Sequence, residues 1–180
     1  MSYCSQVLNG IGLDCASSIG GIKAIYIANR GDVESVTVAN TGGDWTVESI
    51  TMASSAKFKQ YLVRKNSPSN LAWSKSGDDS AGTMVITSNV QGTFAKMTPD
   101  KMAEVDAILK GQFLVIVEDR NGYCWMPLTT EDDYMASSAG EGGTGASSTD
   151  ANQLSFTLTG EANHTPYHVE KSVVTGVTTI

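Results

Sequence analysis

The sequence is short of the residues from which most site chemistry is built. It holds two histidines, three cysteines and four prolines in 180 residues. Cys4, Cys15 and Cys124 are odd in number and form no C-x-x-C pair. That pattern suggests neither a disulfide framework nor a zinc site, and reduced thiols are the expected state. Charge is sparse as well: charged residues make up 17%, and 19 acids against 12 bases leave a net charge of −7. Such a balance argues against electrostatic capture of nucleic acid or of anionic membranes. It still permits a surface past which DNA slides without sticking. The longest apolar run, "FLVIV" at 113–117, is far too short for a bilayer. No basic residue precedes Lys23, so no signal peptide is expected, and a soluble protein made inside the cell is the simplest reading.

Recognisable catalytic motifs are missing too. There is no Walker A sequence and no G-x-S-x-G elbow. A literal G-x-G-x-x-G does occur at Gly140, Gly142 and Gly145, inside "AGEGGTGASSTD". A dinucleotide site needs that motif between a strand and the helix whose N–H groups face the pyrophosphate. Here the upstream segment is polar and acidic. Downstream, Leu154, Phe156 and Leu158 alternate with polar residues, which predicts a strand and no helix. Residues 136–152 are therefore expected to be a Gly/Ser-rich loop between two β elements. His164 and His168 are spaced i,i+4, but Pro166 between them forbids a regular helix, and a solvated turn is favoured over a metal site. The acidic pairs Asp78-Asp79, Glu118-Asp119 and Asp132-Asp133 read as ordinary surface carboxylates. "DRNG" starts like a calcium loop but lacks the remaining ligands. The sequence thus offers no catalytic residue, no cofactor site and no metal site, and a non-enzyme is expected.

What is present is β-forming sequence with one helix. "GIKAIYIANRGD", "VESVTVAN" and "WTVESITMA" predict three strands separated by turns, and Gly82 to Val90 predicts another. "MTPDKMAEVDAILKGQ" predicts an amphipathic helix over about 98–110, with Thr98 as N-cap and Pro99 in the first turn. Met102, Val105, Ile108 and Leu109 fall on one stripe, expected to face the core. "QFLVIVEDRNGYCWMPL" predicts a hairpin turning at Asn121-Gly122. "NQLSFTLTGEAN" and "YHVEKSVVTGVTTI" predict a final hairpin and a C-terminal strand. The expected total is eight or nine strands in a single domain spanning 1–180, of the α+β class and mainly antiparallel.

Two regions stand apart. Residues 1–20 show little periodicity and suit an N-terminal docking arm. Residues 54–82 carry Lys57, Lys59, Arg64, Lys65 and Lys75 among Phe58, Tyr61 and Trp73. They suit a long loop, or a strand pair with a polar tip around "NSPSN". Lysines of this kind more commonly protect a solvated hairpin edge than bind nucleic acid.

The opening "MSYCSQVLNGIGLDC", the block "LKGQFLVIVEDRNGYCWMPL" and the ending "ASSAGEGGTGASSTDANQLSFTLTGEANHTPYHV" together resemble tail tube (major tail) proteins of tailed bacteriophages, of the kind found in phages and prophages of the Bacteroidetes group. The resemblance covers most of the chain, but not residues 54–82. It implies a β-sandwich or curled sheet with one flanking helix, in subunits that form six-fold rings. The inner sheets of such rings join into a barrel, and stacked rings conduct DNA out of the capsid without binding it specifically. It also implies other tail and connector proteins as partners, no membrane anchor, and a place in the virion after synthesis in the host bacterial cytoplasm. By the same resemblance, an arm and a long loop bridge successive rings. Lys57, Lys59, Arg64 and Lys65 are then the expected inter-ring contact. Two other classes stay open: a carbohydrate- or cell-binding β-sandwich using Trp45, Trp73 and Trp125, and another virion part such as a tail terminator or head decoration protein.

Overall fold

A computed structural model describes residues 11, 17–41, 43–78, 80–129 and 133–179. Most of the proposed arm at 1–20 lies outside them. The strands are β1 (Ile22–Asn29), β2 (Val33–Thr41), β3 (Asp44–Met52), β4 (Phe58–Leu62), β5 (Asn70–Ser76), β6 (Val85–Ala95), β7 (Gln112–Asp119), β8 (Cys124–Met126), β9 (Met135–Gly143), β10 (Gln153–Ala162), β11 (Tyr167–Val169) and β12 (Thr178–Thr179). Helix α1 (Pro99–Lys110) precedes β7, and α2 (Lys171–Val177) lies between β11 and β12. The chain is an α+β fold, mainly antiparallel β, in one curled mixed sheet with a flanking helix.

Strand β7 is the hub, and its composition explains why. The 113–117 run is buried on both faces, as a strand covered from two sides must be. One edge of β7 pairs with β1, which continues to β4 and β12. The other edge forks. Val117 and Glu118 pair with β8, whereas Gln112 and Phe113 pair with β9. Beyond β8 the order runs β11, β3, β2; beyond β9 it runs β10, β6, β5. Among the described residues only β11–β3 and β12–β4 are parallel pairs. The second branch curls back over β1 and β4. Phe156 and Phe94 lie 5.8 Å apart, Phe94 and Tyr61 6.0 Å, and a Cβ on Gly92 would come within 3.0 Å of Ile25. This is where the core sits.

Helix α1 begins as its sequence predicts, with the Thr98 hydroxyl accepting from the Lys101 N–H at 3.5 Å and Pro99 in the first turn. Its stripe only half faces the core: Val105 and Ile108 are buried, but Met102 and Leu109 are exposed. The 112–126 hairpin also forms. Its loop has three residues, closed by the Asp119 N–H to the Tyr123 carbonyl at 2.9 Å, with Gly122 at φ +93° as the left-handed residue.

Three local readings need correction. The glycine stretch at 136–152 is a loop only from 144 to 152, because 135–143 form β9. Gly140 and Gly142 sit in a strand for want of a Cβ: one on Gly140 would meet Leu109 of α1 at 2.5 Å, and one on Gly142 would meet Leu154 at 2.6 Å. The described residues of 54–82 hold no strand pair of their own, since β4 joins β1 and β12 while β5 joins β6. The segment around "NSPSN" is thus a crossing between branches. Finally, the C-terminal part forms no hairpin, because β10 pairs with β6 and β9 while β11 pairs with β3 and β8, and "KSVVTGV" is helix α2 rather than strand. Its β-branched residues favour a strand, but Val174 is buried and Lys171 is pulled onto Glu118, so tertiary contacts override propensity.

Candidate functional site

The branch β9–β10–β6–β5 carries the features most open to function. Its inner face supplies Val90, Leu154, Phe156 and Leu158 to the core. Strand alternation puts every other residue on the opposite face. There the register lines up Ser74 with Thr87, Thr87 with Glu161, Asn89 with Thr159 and Gln91 with Thr157. Thr159 Oγ1 lies 2.7 Å from Asn89 Oδ1 and 2.8 Å from Ser138 Oγ, a polar ladder across three strands. Among the described strand residues of this face the only charges are Glu141 and Glu161; no Lys or Arg is present. It is a broad, hydrophilic, cation-free surface.

Both sides of the branch end in unpaired backbone. Among the described residues, strand β5 pairs with β6 alone. Strand β9 uses its second edge only at Met135 and Ala136, so 137–143 pair with β10 alone among the described residues. Such edges recruit further strands unless they are blocked. The hairpin tips project from opposite ends of the sheet and are held by carboxylates. Asp78 Oδ1 accepts from the Ser80 hydroxyl and N–H at 2.7 and 2.8 Å, and these bonds hold its carboxyl below the usual range. Asp150 Oδ2 accepts from the Ala146 and Ser147 N–H groups at 2.8 and 2.7 Å, with the same effect.

A second constellation lies on the far side of β7. Glu118, 2% exposed, accepts from Lys171 Nζ at 2.8 Å, Lys23 Nζ at 2.9 Å and Tyr26 Oη at 2.8 Å. Burial would raise this carboxyl, but the donors from Lys171, Lys23 and Tyr26 outweigh it and bring it down to about 2. Burial, then the Glu118 carboxylate, pushes the Tyr26 phenol up to about 12 and the neighbouring Cys124 thiol up to about 11. A carboxylate that stays ionised at neutral pH and is held by two ammonium groups is a brace, joining β1, β7 and α2. Sequence reading missed it, because Glu118-Asp119 looks like any acidic pair. The one available signal was its place at the end of the apolar run.

The aromatic candidates converge only in part. Two open clefts, of about 510 and 530 Å³, meet at Trp125, Thr165 and Pro166. Trp73 and Trp125 line the first; Trp45 and Trp125 line the second. Trp45 stacks on Tyr167 at 5.5 Å and His164 on Tyr167 at 4.0 Å, while His168 packs edge-on against Trp125 at 5.9 Å. His164 Nδ1 faces the Thr165 carbonyl at 2.8 Å and so donates there, leaving Nε2 to accept from Thr129 Oγ1 at 3.2 Å. The two histidines thus serve different contacts. Among the described residues no three His, Cys, Asp or Glu side chains gather as a metal ligand set.

The four basic residues expected at an inter-ring contact fall into two pairs. Lys57 and Lys59 flank the start of β4 beside Thr179, whereas Arg64 and Lys65 lie past its far end. The strand between them spans roughly 15 Å. No family model matches the chain, and no curated protein or solved structure is significantly similar to it.

Proposed function

We propose that this chain is a structural subunit of a phage tail tube, forming stacked six-fold rings that conduct DNA during ejection. The observation that carries the reading is the β9–β10–β6–β5 branch, with a cation-free polar face and an unpaired edge on each side. Each step across the branch is antiparallel, so β5 and β9 run in opposite directions. Rotation about a ring axis would place β5 of one copy beside β9 of the next as an antiparallel pair, the geometry a closed barrel needs. The polar face would then line the bore. Without cations it offers phosphates no counterion-release gain, so DNA would slide rather than bind. Strand β6, at 11 residues, is roughly 35 Å long, and the tilt of about 40° that a closed barrel requires would give the bore wall a height of roughly 25–30 Å per ring. The sequence resemblance points the same way.

On this reading the chain performs no catalysis and needs no cofactor. Its partners are further copies of itself and other tail and connector proteins, and its place is the virion. Lys57, Lys59, Arg64 and Lys65 remain the proposed inter-ring contact, now as two separate patches. Negative-stain electron microscopy of the purified protein over a concentration series tests the reading. Hollow rings or tubes are expected; a monomer at every concentration counts against it.

One observation favours a second reading. All three tryptophans line the two adjoining clefts at Trp125, and aromatic faces with nearby Asp44, Asn70 and Glu170 suit a carbohydrate. Saturation-transfer NMR with oligosaccharides, lost in Trp125→Ala, would support a glycan-binding module.

A further inference from the structure

The stripe on α1 is wider than the core beneath it. Val105 and Ile108 are buried, yet Met102 is 43% and Leu109 38% exposed. Together with Met97 and Leu154 they border a shallow cavity of about 230 Å³, floored by Gly140 and Gly142 of β9. This apolar hollow lies directly beside the unpaired edge of β9. At the other side of the same branch Trp73 is 53% exposed. Trp73 pairs with Ser88 and Gly140 with Phe156, positions that both alternate away from the polar face. The exposed indole and the hollow therefore lie on the same side of the sheet, each at an open edge. Their rims also carry charge, with Lys75 two residues from Trp73 on its face, and with Glu141 at the hollow beside Asp106, whose carboxylate pairs with Lys110 at 2.7 Å.

Resting on the ring reading, we propose that Trp73 of one copy seats against Met102 and Leu109 of α1 in the next copy. Pairing of β5 with β9 would bring the indole beside Gly140 and Gly142, against the Leu109 and Leu154 side chains that cover them. The occupant of the hollow is thus a second copy of this chain, in a heterologous contact that repeats around the ring. A desolvated tryptophan between methionine and leucine is the kind of anchor on which interface energy concentrates. Backbone pairing alone carries no register; the indole in its hollow would fix one.

The test uses Trp73→Glu and Met102→Glu, both at exposed positions, with native mass spectrometry and circular dichroism. Each variant is expected to keep the wild-type spectrum and to raise the half-assembly concentration about tenfold or more. Mixed, they are expected to form one-to-one dimers, since each supplies the surface that the other lacks. Rings from either variant at the wild-type concentration overturn the seam and leave the ring reading standing, as does a mixture with no dimer. A wild-type chain that forms no ring at any concentration overturns both. Should a variant fail to fold, benzoylphenylalanine at position 73 of the otherwise wild-type chain decides the matter. Cross-links to the 97–109 segment of a second copy support the seam, and cross-links elsewhere overturn it.

Discussion

Glu118 shows how much a single residue can organise. Its carboxylate joins Lys23 on β1 and Lys171 on α2 from the end of β7, and Tyr26 completes the shell. Its folded-state pKa of about 2 lies below the ordinary 4.5. The group therefore contributes stability that is fully present above pH 4.5 and is lost as the pH falls towards 2. Glu118→Gln should lower Tm at neutral pH, and thermal melts should show the gap to wild type closing across that acid window. A gap that stays constant down to pH 2 would remove the brace from the account. Cys124 lies beside it with its thiol pushed up to about 11 from 9.0. It should resist iodoacetamide at pH 8 in the folded protein and react once guanidinium unfolds the chain, read by peptide mass spectrometry.

At the scale of elements, small residues decide where strands and the helix can approach. A Cβ on Gly160 of β10 would lie 2.4 Å from Leu128, itself fully buried, and 3.1 Å from Met135 and from the Tyr134 carbonyl. Gly160→Ala should cost about 1–3 kcal/mol by overpacking, measured by urea denaturation. Thr98→Ala should cost less, about 0.5–1 kcal/mol, because the cap hydrogen bond at 3.5 Å is long. The helix cap, the apolar 113–117 strand and the Gly122 turn were all readable, since each depends on residues close in sequence. Residues 135–143 were not. "MASSAGEGG" has no strand-like alternation, and β9 forms because β10 and the Leu109 side chain cover it. Helix α2 was hidden for the opposite reason: its valines prefer strand, and only the contacts of Val174 and Lys171 hold it helical.

For the whole molecule the bore reading makes a further demand. Asn89, Gln91 and Thr157 stand on the polar face, so replacing all three with lysine should leave strand pairing intact and give tubes that retain DNA. Fluorescence anisotropy with a duplex oligonucleotide should show salt-dependent binding by the triple variant and none by wild type. Equal affinities would place that face away from the bore.

Local sequence determined the class of this protein and many of its elements. Alternating residues make strands, and Thr98-Pro99 starts a helix. Only the tertiary structure decided which strands pair, because pairing joins residues far apart in the chain through backbone groups that every residue carries alike. That is how β5 and the outer part of β9 came to be left with open edges, and how Met102 and Leu109 came to overhang the core. It is also why Glu118, one acid among 19 by sequence, is gripped by two lysines.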